Sequence, residues 1–124
     1  MKRAIAAFFL ILMIAGLCVF ENLFTDGFCG QNVSKLKACR TLYTTDRRAC
    51  AEECEKLRRE WDKSTEKACF FINHYYIDEI SGEMAALPVY ALYDGGEFAA
   101  TCDRINRLFE QIRHDQHISM DSFY

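Results

Sequence analysis

The sequence predicts an all-α protein: an N-terminal transmembrane helix followed by a small antiparallel helical bundle of about four helices. Three observations carry this. An uncharged apolar run from Ala4 to Phe20 opens the chain behind Lys2 and Arg3. Beyond it, four segments place apolar residues at alternating steps of three and four, the period of one narrow stripe on an α-helix. The 124 residues include a single proline, Pro88, and are rich in aromatics, which favours packed helices over a disordered tail.

Length allows one small domain at most. The net charge of −3 becomes more negative once Lys2 and Arg3 are set aside, and no basic face is clustered. Such a body is a poor match for a nucleic-acid backbone, so no nucleic acid is expected as partner. The pair Gly95-Gly96 is not followed by Lys-Ser or Lys-Thr, so it is not a phosphate loop. The boundaries expected are an anchor over 1–24, an extracytoplasmic bundle over 25–113 and a loose tail over 114–124.

As a helix, Ala4 to Phe20 spans about 25 Å, and Ala4 to Phe24 about 31 Å. A bilayer core is about 30 Å thick. Basic residues before the run and Glu21 and Asp26 after it predict an inside N-terminus and an extracytoplasmic body. The competing reading is a cleaved secretory signal. Its best cleavage site, Gly16-Leu17-Cys18, is poor because large residues flank it, and Leu17 spoils a lipoprotein site. An uncleaved signal-anchor in the cell membrane is therefore the reading adopted.

The first body helix is expected over Asp26–Tyr43, running directly out of the membrane span, with Cys29, Val33, Leu36, Cys39 and Tyr43 on its stripe and Gly27 and Gly30 as soft points. Thr44-Thr45-Asp46 are N-cap types and start the second helix, which is expected to reach about Ile72. Its stripe is Cys50, Cys54, Leu57, Trp61, Ser64, Ala68 and Phe71, and Glu52–Lys56 and Glu55–Arg59 stand at i,i+4 with the acid first. A break at Asn73-His74 precedes a third helix over Tyr75–Tyr93, whose seam is Ile77, Ile80, Met84, Leu87 and Ala91. Pro88 removes a backbone donor there, so a kink or an end is expected. After a turn at Asp94-Gly95-Gly96, a fourth helix runs from Glu97 to about Arg113 on Phe98, Cys102, Ile105, Phe109 and Ile112. Short connections make neighbours antiparallel.

Seven cysteines are many for this length. Cys18 lies in the span. Among the other six, Cys39 and Cys50 stand level across the first hairpin and are the one natural disulfide pair. The competing reading is that the cysteines are small apolar core residues, since most sit on stripes. Cys50 and Cys54 share a helical face, and with His114 and His117 they are the only set resembling zinc ligands. No metal or cofactor is expected on balance. His74, Asp78 and Glu79 crowd one turn, and His74–Asp78 at i,i+4 is a unit of acid–base chemistry. The plainer account is a helix start, with acids near its N-terminus and His74 closing the turn. No nucleophile motif is present, and no catalytic residue is assigned. Asn32-Val33-Ser34 fits the glycosylation pattern. Trp61, on its stripe, is expected in the core rather than as a ligand platform.

Trp61, the turn Phe71-Ile72-Asn73-His74, the start Ile77-Asp78-Glu79-Ile80, the N-terminal span and the closing QHISMDSFY together resemble the proteins of domain of unknown function family 4363. The resemblance covers nearly the whole chain. It implies a short membrane helix, a Trp-bearing helix and a Firmicutes host, and no activity. Asn73 stands where the family usually has an acid, and Pro88 and the Cys-rich seam look peculiar to this chain. Trp61, His74 and Asp78 are thus a motif of unknown role.

The function expected is a non-catalytic interaction or scaffold component of a cell-envelope complex. It would be held by one span beside a protein partner, with Tyr75, Tyr76 and Tyr90 as the contact surface. The alternatives are a secreted, disulfide-stabilised helical effector and an extracytoplasmic enzyme centred on His74 and Asp78.

Overall fold

Charge and apolar periodicity divide this chain into one unpatterned apolar segment and four stripes that can cover each other. A computed structural model describes residues 1–70 and 72–121, with side chains described as far as Asp115. Four helices follow in order: α1 Lys2–Tyr43, α2 Arg47–Ala68, α3 His74–Tyr93 and α4 Gly95–Asp121. No strand occurs among the described residues.

The fold is a ring of four antiparallel helices in which α1 packs on α2, α2 on α3, α3 on α4 and α4 back on α1. The register of the α1–α2 hairpin is fixed by two contacts. The Cys50 thiol donates to the Cys39 carbonyl at 3.0 Å, and the rings of Phe28 and Trp61 lie 5.3 Å apart. Lys35–Glu60 at 2.8 Å, Arg40–Asp103 at 3.0 Å and Arg104–Glu83 at 3.2 Å tie neighbouring helices at the surface. Such exposed pairs contribute at most about 1 kcal/mol each. Apolar burial therefore carries the bundle.

The stripes do this as expected. Ile77, Ile80, Met84, Leu87 and Ala91 of α3 are all buried, and so are Phe98, Cys102, Ile105, Phe109 and Ile112 of α4. On α2, Cys50, Cys54, Leu57, Trp61 and Ala68 are buried, while Ser64 is only half-buried. Phe71 lies outside the described residues. On α1 the buried face is wider than the stripe, for Thr25, Phe28 and Asn32 join Cys29, Leu36 and Cys39.

Helix ends follow side-chain chemistry. The Asp46 carboxylate accepts from the N–H groups of Arg48 and Ala49, at 3.0 and 3.3 Å. The Asn73 side chain accepts from the Tyr75 N–H at 3.0 Å, and Asp94 from the Glu97 N–H at 3.2 Å. Each satisfies a donor that a first turn leaves open. Asn73 thus closes the turn assigned to His74. α2 ends at Ala68, with Cys69 as its C-cap, rather than near Ile72.

The expected soft points Gly27 and Gly30 do not interrupt α1, which runs directly from the exposed apolar segment into the bundle as one helix about 63 Å long. At Gly30 the missing side chain lets Arg113 lie across the helix, where its guanidinium reaches the Asp26 carbonyl at 3.5 Å; an added Cβ would crowd that guanidinium at 3.3 Å. Pro88 does not end α3. The fourth helix does not stop at Arg113 but runs to Asp121, so the loose tail expected from 114 is helical that far. The polar sequence hid this, since Asp115 holds the helix through polar bonds, accepting from the Tyr76 hydroxyl and from Gln111 Nε2. Residues 122–124 lie outside the described part. Finally, the ion pairs within α2 are Arg58–Glu55 and Arg58–Asp62 rather than Glu52–Lys56 and Glu55–Arg59.

Candidate functional site

Three groups of residues could carry chemistry or contact: the Trp61 centre, the buried thiols, and the turn from α2 into α3.

Trp61 is the point where all four helices meet. Its side chain is fully buried. It packs on Phe28 of α1 at 5.3 Å and edge-on against Phe109 of α4 at 5.8 Å. Its indole N–H donates to Ser81 Oγ of α3 at 2.7 Å. A buried indole needs such an acceptor. Phe20, Phe24 and Phe28 stack in sequence, so an aromatic ladder runs from the apolar end of α1 to this centre. The role of Trp61 is to hold the bundle.

His74 and Asp78 stand one turn apart on α3, away from Trp61. They lie at the end of the bundle, both exposed, with no hydrogen bond or ion pair joining them among the described residues. Glu79 is exposed beside them.

The thiols cluster inside. In this structure all seven are free. Cys39 and Cys50 face each other across the hairpin, the Cys50 thiol donating to the Cys39 carbonyl, and a thiol hydrogen bond links Cys39 with Cys54. That bond favours thiolate at Cys39 and opposes it at Cys54, where burial adds to the effect. Burial raises Cys50, pushes Cys29 to about 11 and pushes Cys102 to about 12. Thiols held protonated are weak nucleophiles and poor metal ligands. Among the described residues no three His, Cys, Asp or Glu side chains are placed to hold a metal ion. The His117 side chain lies outside the described part. Asn32 is buried with its amide donating to the Phe28 carbonyl at 2.8 Å, so it is no glycan acceptor as folded.

The tyrosine surface divides. Tyr75 is exposed, but Tyr76 and Tyr90 are half-buried against the core. Tyr75 and Tyr76 border an open groove of about 390 Å³ between α3 and α4, with Glu83 and Arg104 on its lining; Tyr90 is not part of it. Sequence reasoning missed Phe70, 85 % exposed in the α2–α3 turn, and Val89, Leu92 and Tyr93 near the opposite end. The available signal was their place off the stripe.

The first 24 residues stand apart. From Ile5 to Leu23 the large apolar side chains are exposed, and the first buried residue is Thr25. This helix is long and apolar enough to cross a membrane; a signal sequence at the same position has the same properties.

The sequence of residues 25–122 matches the family described as domain of unknown function (DUF4363). The chain belongs to that family. The match begins at the first buried residue, Thr25, and covers the bundle. No curated protein and no solved structure matches the chain.

Proposed function

We propose that this DUF4363 protein is held in the cell membrane by one uncleaved span, N-terminus inside, and displays its bundle outside as a non-catalytic scaffold component of an envelope complex. The observation that carries this is the continuity of α1, whose uncovered apolar half passes without a break into the half that packs in the bundle. A span joined by one helix to a folded body holds that body at the surface. The order of charges around the apolar run supports the orientation. The non-catalytic reading is supported by the place of His74 and Asp78 on an open surface, where water would screen any acid–base pair.

A C-terminally tagged full-length protein tests this. It is expected in the membrane fraction after carbonate washing, with intact mass from Met1, with its tag digested by protease added to whole cells, and with a membrane or envelope protein cross-linked to it. A soluble product, or one lacking its first residues, contradicts it.

A further inference from the structure

The register of the bundle fixes the height at which its ends stand beside α1. Cys50 lies opposite Cys39, and Trp61 opposite Phe28. Partner numbers on α1 fall as those on α2 rise, so Ala68, the last residue of α2, comes level with about residue 21. On the other flank Phe98 stacks on Tyr43, Asp103 pairs with Arg40 and Arg113 reaches Asp26. The same descent brings the end of α4, Asp121, level with about residue 20. Trp61 bonds to Ser81, which sets His74 level with Ala68. The base of the bundle is thus the α2–α3 turn, the first turn of α3 and the last turn of α4, all at the height of residues 20–22 of α1.

That height coincides with the outer edge of the apolar surface of α1. Ala4 to Leu23 covers about 29 Å as a helix, close to the thickness of a hydrocarbon core, and Leu23 is the last large apolar side chain exposed there. The base carries Phe70, 85 % exposed, and Tyr75, 61 % exposed. Neither serves the core, and Lys67 is exposed next to them. Exposed aromatics beside a lysine, at this depth, form the composition found at the border between headgroups and acyl chains.

Resting on the reading of α1 as a span, we infer that the base of the bundle is itself seated in the headgroup layer of that membrane, with Phe70 and Tyr75 as its lipid contacts. The protein then touches the bilayer at two places, and the bundle stands upright on its base instead of swinging from its anchor.

Quenching by brominated lipids tests this on the full-length chain in vesicles of phosphatidylcholine and phosphatidylglycerol. Phe70→Trp, Tyr75→Trp, Tyr93→Trp and Leu10→Trp are each compared with the wild type, whose Trp61 is the common background. With bromines close to the headgroups, the emission added by Phe70→Trp and by Tyr75→Trp is expected to fall by at least half, and that added by Tyr93→Trp at the far end to stay unchanged. If both base variants keep their emission while Leu10→Trp loses its own to deeper bromines, the span stands and the seated base is wrong. If Tyr93→Trp is quenched as strongly as the base variants, the bundle lies flat and the inference is wrong. If Leu10→Trp is not quenched either, the span reading has failed and takes this inference with it.

Discussion

The two halves of α1 are one helix with two kinds of surface. Residues 2–24 expose leucine, isoleucine and phenylalanine on every side, whereas residues 25–43 bury one face and leave Lys35, Lys37 and Arg40 outside it. Backbone geometry does not change between them; the side-chain pattern does. An apolar surface without a period is satisfied by a solvent that surrounds the helix, and an apolar stripe by its two neighbouring helices, α2 and α4. The difference teaches that one unbroken rod can carry two kinds of surface, because the side-chain pattern and not the backbone decides what must cover it.

Changes confined to one half should leave the other alone, and the largest effect belongs in the bundle. Trp61→Ala removes contacts to the other three helices and is expected to cost about 3–5 kcal/mol. The thermal midpoint followed by circular dichroism should drop sharply while the protein still sediments with membranes. Leu10→Arg is the reverse case. It opposes insertion by about 2.5–3.5 kcal/mol, so less protein should survive carbonate washing, with the melting of the bundle unchanged.

The buried thiols give a pH effect confined to the packed half. Burial raises Cys29 to about 11 and Cys102 to about 12 in the fold, above the value near 9 that they have when exposed. Their stabilising effect is therefore complete below about pH 9 and is lost as pH climbs towards their folded values. Each contributes a slope of up to about 1.4 kcal/mol per pH unit across that window. Denaturation between pH 8 and pH 11, on the scale of those shifts, should be steeper for the wild type than for Cys29→Ala or Cys102→Ala.

The smallest effect sits at the junction of the halves. Thr25 is fully buried and its hydroxyl has no partner among the described residues. Thr25→Val keeps the shape and removes the unsatisfied group, and should raise stability by about 1 kcal/mol. An unchanged or lower midpoint would show that the hydroxyl is bonded, for instance to water.

What the sequence made legible was periodic. All five seam residues assigned to α3 and all five assigned to α4 are buried, because a stripe at helical spacing has one way to leave water. What it hid was aperiodic. The continuation of α4 past Arg113 depends on bonds to Asp115 from Tyr76 and Gln111, and a polar run shows no stripe. Gly27 and Gly30 were legible only as soft points, and their low helix propensity is outweighed by burial of Thr25, Phe28, Cys29 and Asn32 around them. Spacing placed Cys39 level with Cys50, but thiol rotamers are not encoded by spacing, so it did not show the contact of Cys39 with Cys54. Tyr76 and Tyr90 were chosen for residue type alone, and packing then covered them.

Hydrogen exchange of the full-length chain in lipid nanodiscs, read across Asn22 to Gln31, tests the single rod most directly. Slow exchange running without interruption from the span through Gln31 is the predicted result. A fast-exchanging gap between Phe24 and Gly30 would mean two separate helices on a hinge, and the account of a body held rigidly above its anchor would fail.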